Sequence, residues 1–185
     1  MSGIGHNGGP AMGGIAWRIH CWREARQKLL PVLPIEVIRT RVKRAAELGL
    51  DYKTYAGVRA TTGRDIIAFL FSSNALRLDL DLRIPDVHGK QLQDLRQVSR
   101  LGLAQGVPAE VIAAVNRSLL EGVETAPLPY ASFTQIAKAL RQAMGQLPAD
   151  GVVLVRSEAP WEGEWVAAGK LAAAIPASSF FGQAA

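Results

Sequence analysis

The stretch IIAFLFSSNALRLDLDLRI, residues 66–84, decides how the fold is read, because two patterns meet in it. Residues 66–73 are apolar, β-branched and aromatic, which suits a buried strand better than a helix. From Leu76 to Ile84 an aliphatic residue alternates with Arg77, Asp79, Asp81 and Arg83, the period of a strand with one wet face. Ser72, Ser73 and Asn74 lie between the two and suit a turn, so a hairpin is expected here.

Downstream, residues 90–105, 108–121 and 132–144 read as helices, each closed by a glycine at 106, 122 or 145. Ser132 and Gln135 have the spacing of a capping box, in which each side chain satisfies an unpaired amide of the first turn. GVVLVR, residues 151–156, follows the turn signal Pro148-Ala149-Asp150-Gly151 and reads as a second buried strand. Residues 161–174 read as a last helix with Trp161 and Trp165 packed along one side. Strands separated by helices predict an α/β or α+β fold, predominantly helical with a small sheet, and with a basic helical hairpin at the N-terminal end.

Upstream of residue 66 the pattern is helical and basic. Residues 15–30 read as a short helix that Pro31 and Pro34 end. In residues 34–48, Ile35, Ile38, Val42, Ala45 and Leu48 recur at three and four, marking one face of a helix. Arg39, Arg41, Lys43 and Arg44 occupy the remainder, and a second short helix follows at 52–60. Residues 1–14, with six glycines and a proline, predict a flexible tail; residues 15–176 a single mixed α/β domain with a helix-turn-helix-like unit at 34–64; residues 177–185 a C-terminal tail.

Charge is distributed unevenly over the 185 residues. The net +5 divides into eleven Lys or Arg against four acids in residues 1–64, and ten against twelve in residues 65–185. A cationic N-terminal third attracts phosphates through long-range potential and counterion release, so DNA is the expected partner. Within residues 41–60, Ala45 and Gly49 stand where a helix-turn-helix needs a small crossing residue and a turn glycine, and Leu48, Leu50 and Val58 fall at the apolar locks. Arg44, where an aliphatic is usual, and Tyr55 and Gly57 in the second helix depart from that pattern. On this reading Lys53, Thr54 and Arg59 approach base edges, while Arg39, Arg41, Lys43, Arg44 and Arg64 hold phosphates.

Other chemistry is sparsely signalled. Cys21 is the only cysteine, excluding an internal disulfide framework and suiting a reducing, cytoplasmic compartment. No apolar run reaches the roughly 18 residues of a membrane span. His6, His20 and His88 show no helical pairing, so no metal and no cofactor is expected. Asp79 and Asp81 share a face of the expected strand, flanked by Arg77 and Arg83, and read as a solvated ion-paired surface rather than a magnesium site. GIGHNG, residues 3–8, has the spacing GxGxxG, but no strand precedes it to aim it at a dinucleotide. Neither a Walker nor a GxSxG pattern is present.

The opening GIGHNGGP and the block LPIEVIRTRVKRAAELGLDYKTYAGVRATTGRDIIAFLFSSNAL, residues 33–76, resemble a family of small bacterial proteins that begin with an IGHNGGP motif. The resemblance covers roughly residues 1–78 and implies no activity, catalytic residue or cofactor. The expectation is therefore a non-enzymatic DNA-associated protein, a regulator among the roles open to it. Two alternatives stand beside it: an adaptor that docks a protein partner through residues 1–14 or through Phe180 and Phe181, and a small enzyme acting on an anionic substrate. Pairing as a homodimer is left open.

Overall fold

The computed structural model describes residues 33–182; the glycine-rich opening, the expected helix at 15–30, His6, His20, Cys21 and residues 183–185 lie outside the described residues. The chain divides into two units, residues 1–39 and 40–185. Of the first, the described part enters helix α1 (Ile35–Glu47), where Arg39 Nη1 donates to Glu36 Oε1 at 2.9 Å.

The second unit carries the rest of α1, then α2 (Tyr52–Thr62), β1 (Ala68–Ser72), α3 (Ser73–Leu76), α4 (Asp86–Asp94), β2 (Ser99–Ala104), α5 (Ala109–Val115) and β3 (Gly122–Thr125). After these come α6 (Phe133–Met144), β4 (Val152–Arg156), α7 (Trp165–Gly169), β5 (Ala173–Pro176) and α8 (Ala177–Phe180), with 3₁₀ turns at Ala149–Gly151 and Pro160–Glu164. The five strands form one sheet in the order β3-β2-β1-β4-β5, and every neighbouring pair is parallel. This is the strand order of a doubly wound α/β sheet.

Parallel strands need crossover helices, and helices on both faces bury both faces of the sheet. The central strands carry that signature. Phe69 and Phe71 of β1 and Val153 and Val155 of β4 pack with Leu48, Tyr55, Val58, Leu92, Ile112 and Phe180 on one face. The alternate residues Ala68, Leu70, Val152 and Leu154 pack on the other with Ile136, Leu140, Met144 and Trp165. Burial at about 25 cal/mol per Å² of apolar surface makes these two layers the main source of stability. The second layer is tight: a Cβ added to Gly169 on α7 would lie 2.8 Å from Leu140 Cδ1 on α6.

Several expectations hold. The hairpin of α1 and α2, the strands expected within 66–73 and 151–156 and found at Ala68–Ser72 and Val152–Arg156, and α6 with its reciprocal Ser132–Gln135 capping box are all present. The expected fold class is not. The sheet is a five-stranded parallel one and the protein is α/β, with eight α-helices among the described residues, rather than predominantly helical with a small sheet.

Three corrections account for the difference. No strand or hairpin forms at 76–84, because both neighbours of β1 are supplied by distant strands, β2 and β4. Arg77 and Leu82 adopt left-handed backbone at φ 53° and 59° instead, and the Asp79 carboxylate accepts the amides of Asp81 and Arg83, both at 2.9 Å. The aspartates therefore share no strand face. Residues 90–105 are not one helix: α4 stops at Asp94, and β2 begins where Ser99 N donates to Ile67 O at 3.0 Å. Residues 161–174 likewise split into a 3₁₀ turn, α7 and the start of β5.

Phe180, weighed above as a docking aromatic, is buried edge-on to Phe69 and Phe71, with ring centroids 5.0 and 5.5 Å away. Phe181 stacks on His88 at 4.0 Å, and His88 Nδ1 lies 3.0 Å from Leu76 O. Among the described residues no helix is long and apolar enough to cross a membrane.

Candidate functional site at the carboxyl edge of the sheet

In an open parallel sheet the crevice outside the carboxyl ends of the strands, where the strand order reverses, is the natural ligand seat. Here the reversal falls between β1 and β4: the chain winds outward from β1 through β2 to β3, then returns to β4 and leaves through β5. The segments leaving β1, β2 and β4 bring Ser73 and Asn74, Gln105, and Ser157, Trp161 and Glu162 together there.

Glu162 is wholly buried, and its carboxylate is satisfied by neutral donors alone. Gln105 Nε2 donates to Oε1 at 2.6 Å, Asn74 Nδ2 to the same oxygen at 3.2 Å, and the Ser157 amide to Oε2 at 2.7 Å. Gln105 is also gripped by its backbone, whose amide donates to Ser73 Oγ at 3.0 Å. Its side-chain oxygen in turn accepts the Trp161 indole N–H at 2.9 Å. A buried acid thus fixes a glutamine, and the glutamine fixes the plane of an indole. Such chains of fully satisfied polar groups hold side chains rigidly.

The indole faces a cavity of about 270 Å³ whose walls are Leu128, Tyr130, Ala131, Ile136, Pro160, Trp161 and Glu164. The Tyr130 and Trp161 rings stand 6.1 Å apart at 63°, making an aromatic corner. Tyr130 is 84% exposed and sits in the left-handed region at φ 59°, uncommon for a bulky residue. Leu128, Tyr130 and Ala131 also border an adjoining cavity of about 460 Å³ that runs along α6 to Gln142. A third hollow, of about 350 Å³, lies at the amino end of β2 around Ser99, Arg100 and Glu121 and is shallow and open.

Ala45, Leu48 and Val58 are buried in the hairpin, and Gly49 turns it at φ 64°. Arg44 points inward, its side chain 14% exposed, and all five of its N–H donors are engaged. Nε donates to Asp65 Oδ2 at 3.0 Å, Nη1 to Glu47 Oε2 at 3.3 Å and Arg96 O at 2.9 Å, and Nη2 to Ile66 O at 3.1 Å and Gln97 O at 3.0 Å. Arg59 lies between the Tyr55 hydroxyl and Asp65, and Arg64 pairs with Asp150 at 2.8 Å. Thr54 is bound to the capping carboxylate of Asp51 through both its amide and its hydroxyl. Arg41 is half-buried, whereas Lys43 and Lys53 are exposed with no acid partner among the described residues.

Asp65 is the electrostatic centre of this end of the molecule. Burial pushes its carboxyl up, but the Tyr55 hydroxyl, at 2.8 Å, and the Arg44 guanidinium outweigh that and hold it below the usual carboxylate range. Burial, then the hydrogen bond to Asp65, raises the Tyr55 hydroxyl. Among the described residues no three His, Cys, Asp or Glu side chains gather as a metal site.

None of the carboxyl-edge residues was singled out for chemistry from sequence. Trp161 reads there as a packing partner of Trp165, yet only Trp165 is fully buried. The available signal was SEAPWEGE, residues 157–164, which follows a strand and carries three acids and a tryptophan with no cation. Comparison of the chain with protein-family models, with curated proteins and with solved structures gives no match. The fold and the site together describe a doubly wound α/β protein with an aromatic crevice at its carboxyl edge.

Proposed function

We propose that this protein binds a small organic molecule in the crevice walled by Tyr130 and Trp161. The observation that carries the reading is the Glu162–Gln105–Trp161 chain of hydrogen bonds, which orients one wall of a cavity between the segments that follow β3 and β4. Ligand seats are concave and furnish apolar walls with a few fixed polar groups, and here Trp161, held by Gln105, stands beside Leu128, Ile136 and Pro160. Ligand-observed NMR with a library of soluble fragments tests it. Binders that the wild type retains and Trp161→Ala loses, with both proteins showing cooperative thermal unfolding, support the reading. A wild-type protein that binds no fragment contradicts it.

A second reading is contact of the N-terminal hairpin with DNA. The specific observation in its favour is that Lys43 and Lys53 are exposed and without acid partners among the described residues. Fluorescence anisotropy on duplex DNA over a range of salt tests it. Affinity falling steeply with salt, with a shallower slope in Lys43→Ala/Lys53→Ala, supports it. Absence of binding at low salt removes it.

A further inference from the structure

We infer that the ligand of the carboxyl-edge crevice is an organic cation of the quaternary or alkylated ammonium class, an inference that rests on the small-molecule reading above. Its grounds are the charges and ring geometry of the crevice. Of the residues lining the two adjoining cavities, Glu164 alone carries a formal charge, and that charge is negative. The flanking segment 157–164 adds Glu158 and the buried Glu162 and contains no Lys or Arg. Arg156, immediately before it, donates Nη1 to Ser157 O at 2.9 Å. A phosphate or carboxylate brought into this crevice therefore meets Glu164 and no lining cation, since Lys138 and Arg141 of α6 line neither cavity, although the chain as a whole carries +5.

A cation meets the opposite. Ring faces carry negative quadrupole potential and attract a positive charge within about 6 Å of the centroid, and Trp and Tyr are the strongest such faces. The Tyr130 and Trp161 rings meet edge to face, with centroids 6.1 Å apart and planes at 63°, and both line the cavity. Leu128 and Pro160 complete an apolar surround, and Glu164 provides the counter-charge. A bulky alkylated ammonium suits these walls better than a bare metal ion, because it sheds little hydration on leaving water and fills apolar space. The hydrogen bond from the indole N–H to Gln105 fixes the Trp161 ring before any ligand arrives, which lowers the ordering cost of binding.

Calorimetric titration of the full chain with (2-hydroxyethyl)trimethylammonium and, separately, with its uncharged carbon isostere 3,3-dimethylbutan-1-ol tests the inference. The cation is expected to bind at least about fivefold more tightly than the isostere, and Glu164→Gln to reduce that preference. Tyr130→Ala is expected to weaken the cation more than the isostere. Equal binding of both compounds overturns the cationic class and leaves the small-molecule reading standing. Absence of binding by both compounds overturns it too, and the neutral members of the fragment library then separate the cases: a neutral fragment that shifts the Trp161 indole resonance keeps the crevice as a site, and no fragment of the library doing so removes both readings.

Discussion

Gln105 and Glu162, which follow different strands, meet at 2.6 Å between amide nitrogen and buried carboxylate, and through this contact the end of β2 sets the position of the segment after β4. The carboxylate accepts three hydrogen bonds and has no cationic partner. Removing an acceptor here strands buried donors. Glu162→Ala is expected to lower stability by about 2–3 kcal/mol, with Glu162→Gln milder because its carbonyl oxygen still accepts, although its amide nitrogen must face a donor with a donor. Urea denaturation measures the loss, and the Trp161 indole N–H resonance reports whether the ring loses its fixed plane.

Arg44 is a structural latch. Its guanidinium joins α1 to the residues that lead into β1 and to the turn before β2, using every donor it has. Arg44→Met is expected to cost about 2 kcal/mol, less than the ~3–5 kcal/mol of a fully buried broken pair because Asp65 and Glu47 keep some solvent. In a DNA-binding experiment the same variant, once folded, is expected to leave the salt slope unchanged, whereas Lys43→Ala and Lys53→Ala are expected to flatten it.

Asp65 makes stability depend on pH in a stated direction. Its folded carboxyl lies below the unpaired value of 3.8, so the unfolded chain takes up the proton first as pH falls. The stabilisation is complete well above pH 3.8 and is lost as pH falls through the lower folded value. Denaturation midpoints measured from neutral pH down to about pH 3 are expected to drop at the acidic end, and Asp65→Asn is expected to reduce that drop.

Tyr130 trades backbone comfort for position. A non-glycine residue in the left-handed region costs about 1 kcal/mol or more, and the ring, largely exposed, recovers little of that by packing. Tyr130→Gly is expected to leave the thermal midpoint unchanged or slightly raised while abolishing ligand binding. Gly169→Ala makes the contrasting case: the added methyl meets buried Leu140, and a loss of about 1–3 kcal/mol is expected with binding unaffected in the folded fraction.

How far the sequence revealed this protein depends on which residues are considered. β1 and β4 are legible because Phe69-Leu70-Phe71 and Val152-Val153-Leu154-Val155 have no polar face, the mark of a strand covered on both sides. α6 is legible because its cap and its apolar stripe agree. β2 is hidden because Leu92 and Leu95 continue a helical spacing into it, and β5, Ala173-Ala174-Ile175-Pro176, is too short and alanine-rich to declare itself. The alternation of 76–84 misleads because a polar carboxylate at 79 builds a turn as readily as a wet strand face, and only a tertiary neighbour decides between them. The carboxyl-edge site depends on the strand order, which these short strands do not announce. Gln105 and Glu162, 57 positions apart, acquire meaning only once β2 and β4 are known to flank β1. Arg44 did leave a trace, as a cation at a position where a helix-turn-helix needs an aliphatic.

On this reading the ligand seat lies at the carboxyl edge of the sheet. Amide and indole chemical shifts of the isotopically labelled protein, followed while a fragment found to bind is added, test it most directly. A ligand seated there shifts resonances of Tyr130, Ala131, Trp161 and Gln105 above all others. Shifts concentrated instead around Ser99 and Glu121 at the amino end of β2, or around Lys43 and Lys53, would contradict it.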